Sequence, residues 1–423
     1  MKGPLSRCKI CDFSTATKRK ARRKIAALLV DGTEILPDEI LIVILSYLSL
    51  KEAVRTSVLS HRWRCLWHFS SGTLEFDFDR WDAKKGGTHQ LEATKFENLV
   101  NQVLKLHQDV RALEFDLPGV DYFPDPEKLL SISRAVKLQG IGLSLLTSLK
   151  LFRIHITEKM VEYLLSNCLS LEHLGLKYIH NIKKLSIVGP SLKSLIIDCC
   201  CKLQNLTISA ANLVSFEFGD SYIAELPIKS QNVPNLSELT LHGSWTSAFL
   251  FRSNKHSTYC CRVEKLVVCV PGLIMIEVSE FTVFSFRKLP PLRCLKQLEL
   301  VLCTAAYQSL CFFVLLTEAC PFLSRLVIQF IYDLKGIKEN MFSALCSYGS
   351  KGPLTALDSY RLEHLKVVKL MYFSFYRTQF KFLLSLVQIA NMLEKIIIAP
   401  STGYNRKDGS AKARECTKQL KQS

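Results

Sequence analysis

The feature that most constrains this chain is a hexad, apolar-x-x-apolar-x-apolar, that returns thirteen times from Val110 onward. It occurs at Val110-Leu113-Phe115, Leu146-Leu149-Leu151, Leu171-Leu174-Leu176, Ile182-Leu185-Ile187, Leu192-Leu195-Ile197, Leu203-Leu206-Ile208 and Leu213-Phe216-Phe218. It recurs at Leu236-Leu239-Leu241, Val263-Leu266-Val268, Leu295-Leu298-Leu300, Leu323-Leu326-Ile328, Leu362-Leu365-Val367 and Leu393-Ile396-Ile398. So many returns of one pattern mark a stacked repeat array, in which each unit covers the apolar face of the next.

The spacing distinguishes two kinds of unit. Between Leu171 and Leu213 the hexads return every 10 or 11 residues, too close for a helix between strands; elsewhere they return every 23 to 39. A leucine-rich rung of about 20 to 29 residues has one strand on the concave face and a helix or other element behind it. Two short units make 21 residues, one rung, so the central segment is predicted to be backed by strand. Thr157–Cys168 and Ser309–Cys320 are predicted as backing helices of outer rungs. The leucines are core; any function lies in the polar residues between them and in the rung edges.

A different pattern precedes the array. Pro37 suits a first helical position, and Asp38 and Glu39 complement the helix dipole. Ile40, Leu41, Ile44, Leu45 and Leu48 then recur at the spacing of an apolar helix face. Ser49 and Glu52 form a capping box for a second helix, and Ser60 caps a third that carries Trp63 and Trp67 on one face. Three short helices cannot bury this much apolar surface among themselves, so something else covers part of it.

Charge and cysteine narrow the classes. The formal net charge of the 423 residues is +17, but residues 1–35 carry +6 and residues 400–423 carry +4, which leaves +7 on the 364 residues between. That is a mild excess rather than a groove for nucleic acid. Lys18, Arg19, Lys20, Arg22, Arg23 and Lys24 have the composition of a nuclear-import or polyanion-binding patch. Sixteen cysteines in a long chain without an apolar leader after Met1 point to a reducing, intracellular compartment, with Cys199–Cys201 and Cys260–Cys261 acting as small buried hydrophobes. Cys8 and Cys11 have the spacing of half a zinc site, but the next Cys or His is His61, so the reading is two free thiols. No metal, cofactor or catalytic residue is assigned: phosphate loop, dinucleotide fingerprint, zincin helix and nucleophile elbow are all missing. No run reaches the roughly 18 apolar residues that cross a bilayer, so no membrane span is expected.

The stretch Leu36–Trp67 closely resembles the F-box of plant F-box/leucine-rich-repeat proteins, through Leu36-Pro37, Lys51-Glu52-Ala53, Ser57-Val58-Leu59-Ser60, Arg62-Trp63 and Leu66-Trp67. His61 and Cys65 stand where relatives often carry Lys and an aromatic. Leu362–Pro400 resembles the FBD element found with that F-box, although its helix lacks the early acidic residues. The fold expected is α/β. A three-helix F-box leads into an irregular leucine-rich-repeat solenoid of parallel strands with backing helices and a strand-backed centre, closed by an FBD-like strand-helix-strand unit. The boundaries expected are a basic leader 1–34, F-box 35–70, joint 71–105, solenoid 106–361, FBD-like repeat 362–400 and basic tail 401–423.

The resemblance implies a non-catalytic, substrate-recruiting subunit of an SCF-type ubiquitin ligase, working in the nucleus and/or cytoplasm. Its helices dock on a Skp-family adaptor, which joins a cullin scaffold, while the repeats hold a protein target. Adaptor docking would use Leu36, Pro37, Ile40, Leu41, Ile44, Leu45 and Leu48, with Val58, Leu59, Trp63, Leu66 and Trp67 divided between the partner and the module's own core. The alternatives are a repeat scaffold without a ligase role and a nucleic-acid-binding protein acting through its basic tails.

Overall fold

The computed structural model describes residues 36–69, 73–77, 98–105, 110–116, 143–154, 156–219, 232–243, 246, 262–270, 291–303, 317, 319–331, 361–373, 383–384 and 386–400. The Lys18–Lys24 run, Cys8 and Cys11, Cys260–Cys261 and most of Ser309–Cys320 lie outside them. The chain divides into two compact units, Met1–Ser194 with Cys199–Ala210, and Leu195–Asp198 with Ala211–Ser423.

The first unit opens with three short helices, α1 (Asp38–Ser46), α2 (Leu50–Arg55) and α3 (Trp63–Leu66), joined by 3-10 turns at Thr56–Val58 and Trp67–Phe69. Pro37 sits one place earlier than expected, at the N-cap, with φ −59° and ψ 154°. Its carbonyl accepts from the N–H groups of Ile40 and Leu41, both at 3.2 Å, so a ring without an N–H occupies a position where none is needed. The capping box at α2 forms as read: the Glu52 N–H donates to Ser49 Oγ, and the Ser49 N–H donates to Glu52 Oε2. Hydrogen bonds from the Ser49 side chain and backbone hold the Glu52 carboxyl below its ordinary pKa.

Strands β1 (Thr73–Asp77), β2 (Ala112–Asp116), β3 (Ser148–Phe152) and β4 (His173–Lys177) follow in the order β1-β2-β3-β4, all parallel. The stretch expected as a joint therefore supplies the first strand of the ladder. Ser71 stands where a hexad would place its first apolar residue, so repeat spacing alone does not reveal β1, whereas the alternation of Leu74 and Phe76 does. Helix α2 packs beside β1, the outermost strand, and so closes that end of the sheet. Behind the sheet, α4 (Glu158–Asn167) is the predicted backing helix, capped by Thr157 and burying Val161, Leu164 and Leu165.

The closely spaced hexads behave as their spacing requires. Strands β5 (Lys184–Val188) and β7 (Asn205–Ser209) pair with each other in a separate two-stranded parallel sheet, skipping β6 (Ser194–Asp198), which lies between them in the chain. Alternate short hexads thus go to different sheets, and the backing element here is strand.

In the second unit, β6, β8 (Ser215–Phe218), β9 (Glu238–Leu241), β10 (Lys265–Val270), β11 (Gln297–Cys303), β12 (Arg325–Ile331), β13 (Val367–Phe373) and β14 (Lys395–Pro400) follow in that order. The printed registers from β8 to β14 are all parallel. Residues 383–384 and 386–389 are helical between β13 and β14, giving the strand-helix-strand order expected at this end.

The hexad works by strand geometry. Its last two apolar positions are two apart and share the inward face, as in the alternating burial of β3 and β5, while the first turns inward before the strand begins. Backbone bonds repeat with it: the Arg111 carbonyl accepts from Thr147 and Ser148, and the Lys296 carbonyl accepts from Ser324 and Arg325. All thirteen hexads become strands, with one shift. At β13 the functioning hexad is Leu365-Val368-Leu370, three residues later than read, because Leu326 pairs with Val368 and Ile328 with Leu370. Val367 is on the outer face.

The end of the strand also repeats. Arg153, Tyr178 and Cys199 directly follow β3, β4 and β6 and have φ of 55°, 58° and 53°. The left-handed region is unfavourable for side chains with a Cβ, by about 1–2 kcal/mol. Cys199→Gly is therefore expected to raise the urea midpoint, with a gain of about 1 kcal/mol. A lowered midpoint would contradict the strain.

Of the cysteine run, Cys200 is buried as expected, whereas Cys201 is exposed and Cys199 half-buried. Its position in the turn after β6 explains this, since only Cys200 faces the core. Burial pushes the Cys168 thiol up to about 11, which is the behaviour of a packed, inert cysteine.

Candidate functional site

Helix α1 reads Asp-Glu-Ile-Leu-Ile-Val-Ile-Leu-Ser and is apolar on nearly every side. Such a helix normally lies within a core, yet here only one face is covered. Leu41 and Leu45 are fully buried, and Leu36 and Leu48 are half-buried beside them. On the other face Ile40, Val43, Ile44 and Tyr47 follow one another at three- and four-residue spacing, and all four are exposed; Tyr47 is 85% accessible. Pro37 and Val58 are exposed as well, and Leu59 is half-buried.

The structure therefore divides the twelve residues expected to contact a partner. Leu41, Leu45, Trp63, Leu66 and Trp67 form the core of the module; Trp67 is 0% accessible. Its ring meets His68 edge to face at 4.0 Å between centroids. The tryptophans thus go to internal packing. Pro37, Ile40, Ile44 and Val58 are outward, and Leu36, Leu48 and Leu59 lie at the margin. Val43 and Tyr47 belong to the outward face and were not singled out by the periodicity, which followed only the inward stripe.

Polar contacts hold this face in position. Arg62 Nε is 2.5 Å from Asp38 Oδ1, and the same guanidinium donates to the Leu36 carbonyl. One side chain near α3 thereby ties down the entry to α1. The Trp63 N–H donates to Ser60 Oγ at 3.4 Å, in the capping role read from the sequence.

The repeats offer a polar sheet face. In the first unit Glu75 faces Glu114 and Asp77 faces Asp116 across β1 and β2. Like charges on adjacent strands repel. Lys150 Nζ offsets them at 3.1 Å from Glu114 Oε2, and Arg153 Nη2 at 2.6 Å from Asp116 Oδ1. In the second unit Lys265 Nζ meets Glu238 Oε2 at 3.1 Å. Among the described residues, no group of three or more His, Cys, Asp or Glu is placed to hold a metal ion, and no helix is long and apolar enough to cross a membrane.

Known proteins match this arrangement part by part. An F-box domain matches residues 34–71, the helices just described and their flanks. The family described as At1g61320/AtMIF1, LRR domain, matches residues 131–423. Three relatives come from Arabidopsis thaliana. F-box/LRR-repeat protein At3g03360 is 27% identical over 309 residues, 60% of this chain and 62% of its own length. F-box/LRR-repeat protein At1g55660 is 28% identical over 234 residues, 54% of this chain and 59% of its own. Putative F-box/FBD/LRR-repeat protein At4g00315 is 30% identical over 230 residues, 44% of this chain and 52% of its own. The chain spans less than two thirds of the length of these curated relatives. With its hexads forming parallel strands and its N-terminal helices matching an F-box, the chain belongs to the At1g61320/AtMIF1 leucine-rich-repeat family and carries an F-box domain ahead of its repeats.

Proposed function

We propose that the chain is a substrate-recruiting subunit of an SCF-type ubiquitin ligase. In this role the outward face of α1 docks on a Skp-family adaptor and, through it, a cullin, while the repeats hold a protein target. One observation carries the reading: α1 exposes Ile40, Val43, Ile44 and Tyr47 opposite a face that is fully packed. An unpartnered apolar stripe at three- and four-residue spacing fits the groove of another protein. Val58 and Pro37 extend it. The F-box match supports the same choice of partner.

The role requires no chemistry from this chain. It raises the local concentration of a target lysine beside a thioester formed elsewhere, which is a gain from proximity. The work is intracellular, in the nucleus and/or cytoplasm, with the Lys18–Lys24 run as the import signal. The described strands present both signs of charge in adjacent pairs, which favours a protein target over a nucleic-acid backbone. Size-exclusion chromatography of the intact chain with purified Skp-family adaptor and cullin tests assembly. One co-eluting complex is the expected result, and a folded chain that runs apart from the adaptor overturns the reading.

A further inference from the structure

The second unit holds a cluster that the ligase reading does not use. Register places Phe218 beside Leu241 and Leu241 beside Val268, so the next residues, Gly219, His242 and Cys269, stand in one row on the outer face of β8, β9 and β10. The His242 N–H donates to the Phe218 carbonyl at 3.0 Å, fixing that alignment past the strand end. His242 Nε2 lies 3.4 Å from Glu217 Oε1, and the imidazole also meets the Cys269 side chain. Gly219 provides the room. A Cβ there would lie 2.5 Å from Asp198 Oδ1 and 2.6 Å from His242 Cβ, so any larger residue would push the imidazole away from the carboxylates.

We propose that Cys269, His242 and Glu217 form a thiol-imidazole-carboxylate site that takes a small α,β-unsaturated carbonyl compound as a covalent ligand. A nucleophile, an adjacent base and a third group orienting that base are the parts of an activated thiol. Burial alone would lower the His242 pKa, but the Cys269 and Glu217 side chains reverse this and push it up to about 10, so the ring is a cation at neutral pH. Cys269 remains partly accessible.

The surroundings select the ligand class. On one side of Cys269 stand His242 and, beyond Gly219, Asp198; on the other its register partner is Val301, with Val267 two residues back on the same face. A conjugated carbonyl has matching halves, an oxygen that takes a hydrogen bond from the imidazolium and a hydrocarbon end that lies against valine. In the reaction His242 holds the proton of the Cys269 thiol. The sulfur attacks the β-carbon and forms an S–C bond, the C=C electron pair moves to the α-carbon, and that carbon takes the proton back from His242. Every atom of both partners remains in the adduct, and nothing is oxidised or reduced.

The test is native labelling of the intact chain with limiting N-ethylmaleimide, itself a conjugated carbonyl, followed by peptide mass spectrometry. Cys65, Cys201 and Cys294 are more exposed than Cys269 and provide the reference. If accessibility set the order, these three would react first. The expected result at pH 6.5 is that Cys269 reacts about tenfold faster than they do. Between pH 6 and pH 8 its rate should change little, while an ordinary thiol accelerates about tenfold per unit below its pKa.

Charged groups on the neighbouring strands bear on this profile. They are Asp198 on β6, Glu217 on β8, Glu238 on β9, Lys265 on β10, which is paired with Glu238, and Glu299 on β11, which accepts from Gln329. His242→Gln should slow Cys269 about tenfold and leave the three reference cysteines unchanged. Glu217→Gln should give a smaller loss in the same direction. A Cys269 rate at or below the references in the unsubstituted chain, or a rate that rises with pH as theirs does, overturns the proposal whether or not the variants fold.

Discussion

Trp67→Ala is expected to lower the unfolding free energy of the first unit by about 3–5 kcal/mol, the cost of removing a large aromatic from a packed site. The ring is fully inaccessible, in the turn after α3, among Leu41, Leu45, Trp63 and Leu66, which are themselves buried. The module is too small to close around the space left behind, so little of that cost is recovered by collapse. Urea unfolding followed by far-ultraviolet circular dichroism measures it. Ile44→Ala, on the exposed side of α1, is the control and should shift the midpoint little. A loss below about 1 kcal/mol for Trp67→Ala would return the tryptophan to the partner-facing surface.

Phe216→Ala should be of similar size, about 3–5 kcal/mol, in the second unit. Phe216 and Phe218 are both fully buried on the inner side of β8, and their rings stack at 5.5 Å and 21°. In an array, each rung is stabilised chiefly by its neighbours. Amide exchange should therefore lose protection first in β8 and β9 and least in β13 and β14. Uniform loss along the whole unit would contradict nearest-neighbour stability. A loss confined to residue 216 would show that the stacked pair contributes little.

The array was legible because its signal is redundant: thirteen hexads give thirteen strands, and the change of spacing at Leu171–Leu213 identifies the strand-backed segment. Where the pattern is degenerate it misleads. At β13 both Val367 and Val368 fit, and only pairing with Leu326 selects the second. Helix α1 poses the same difficulty. Residues 40–45 are all apolar, so periodicity finds a stripe but cannot say which of two stripes faces inward. Val43 and Tyr47 were missed for that reason, and the tryptophans could be assigned to the core only once their burial was known. The left-handed residues at 153, 178 and 199 have no sequence signal at all, because Arg, Tyr and Cys do not favour that conformation. Likewise, the row of Gly219, His242 and Cys269 exists only through strand register.

The division of α1 into a packed stripe and a docking stripe is the central claim. It is tested most directly by calorimetric titration of purified Skp-family adaptor into the intact chain and into an Ile40→Ser/Ile44→Ser variant with matched urea midpoints. The intact chain should bind saturably, and the variant should lose about 2 kcal/mol or more, roughly 30-fold in Kd. Equal affinity for both proteins, or no binding by the folded intact chain, would contradict it.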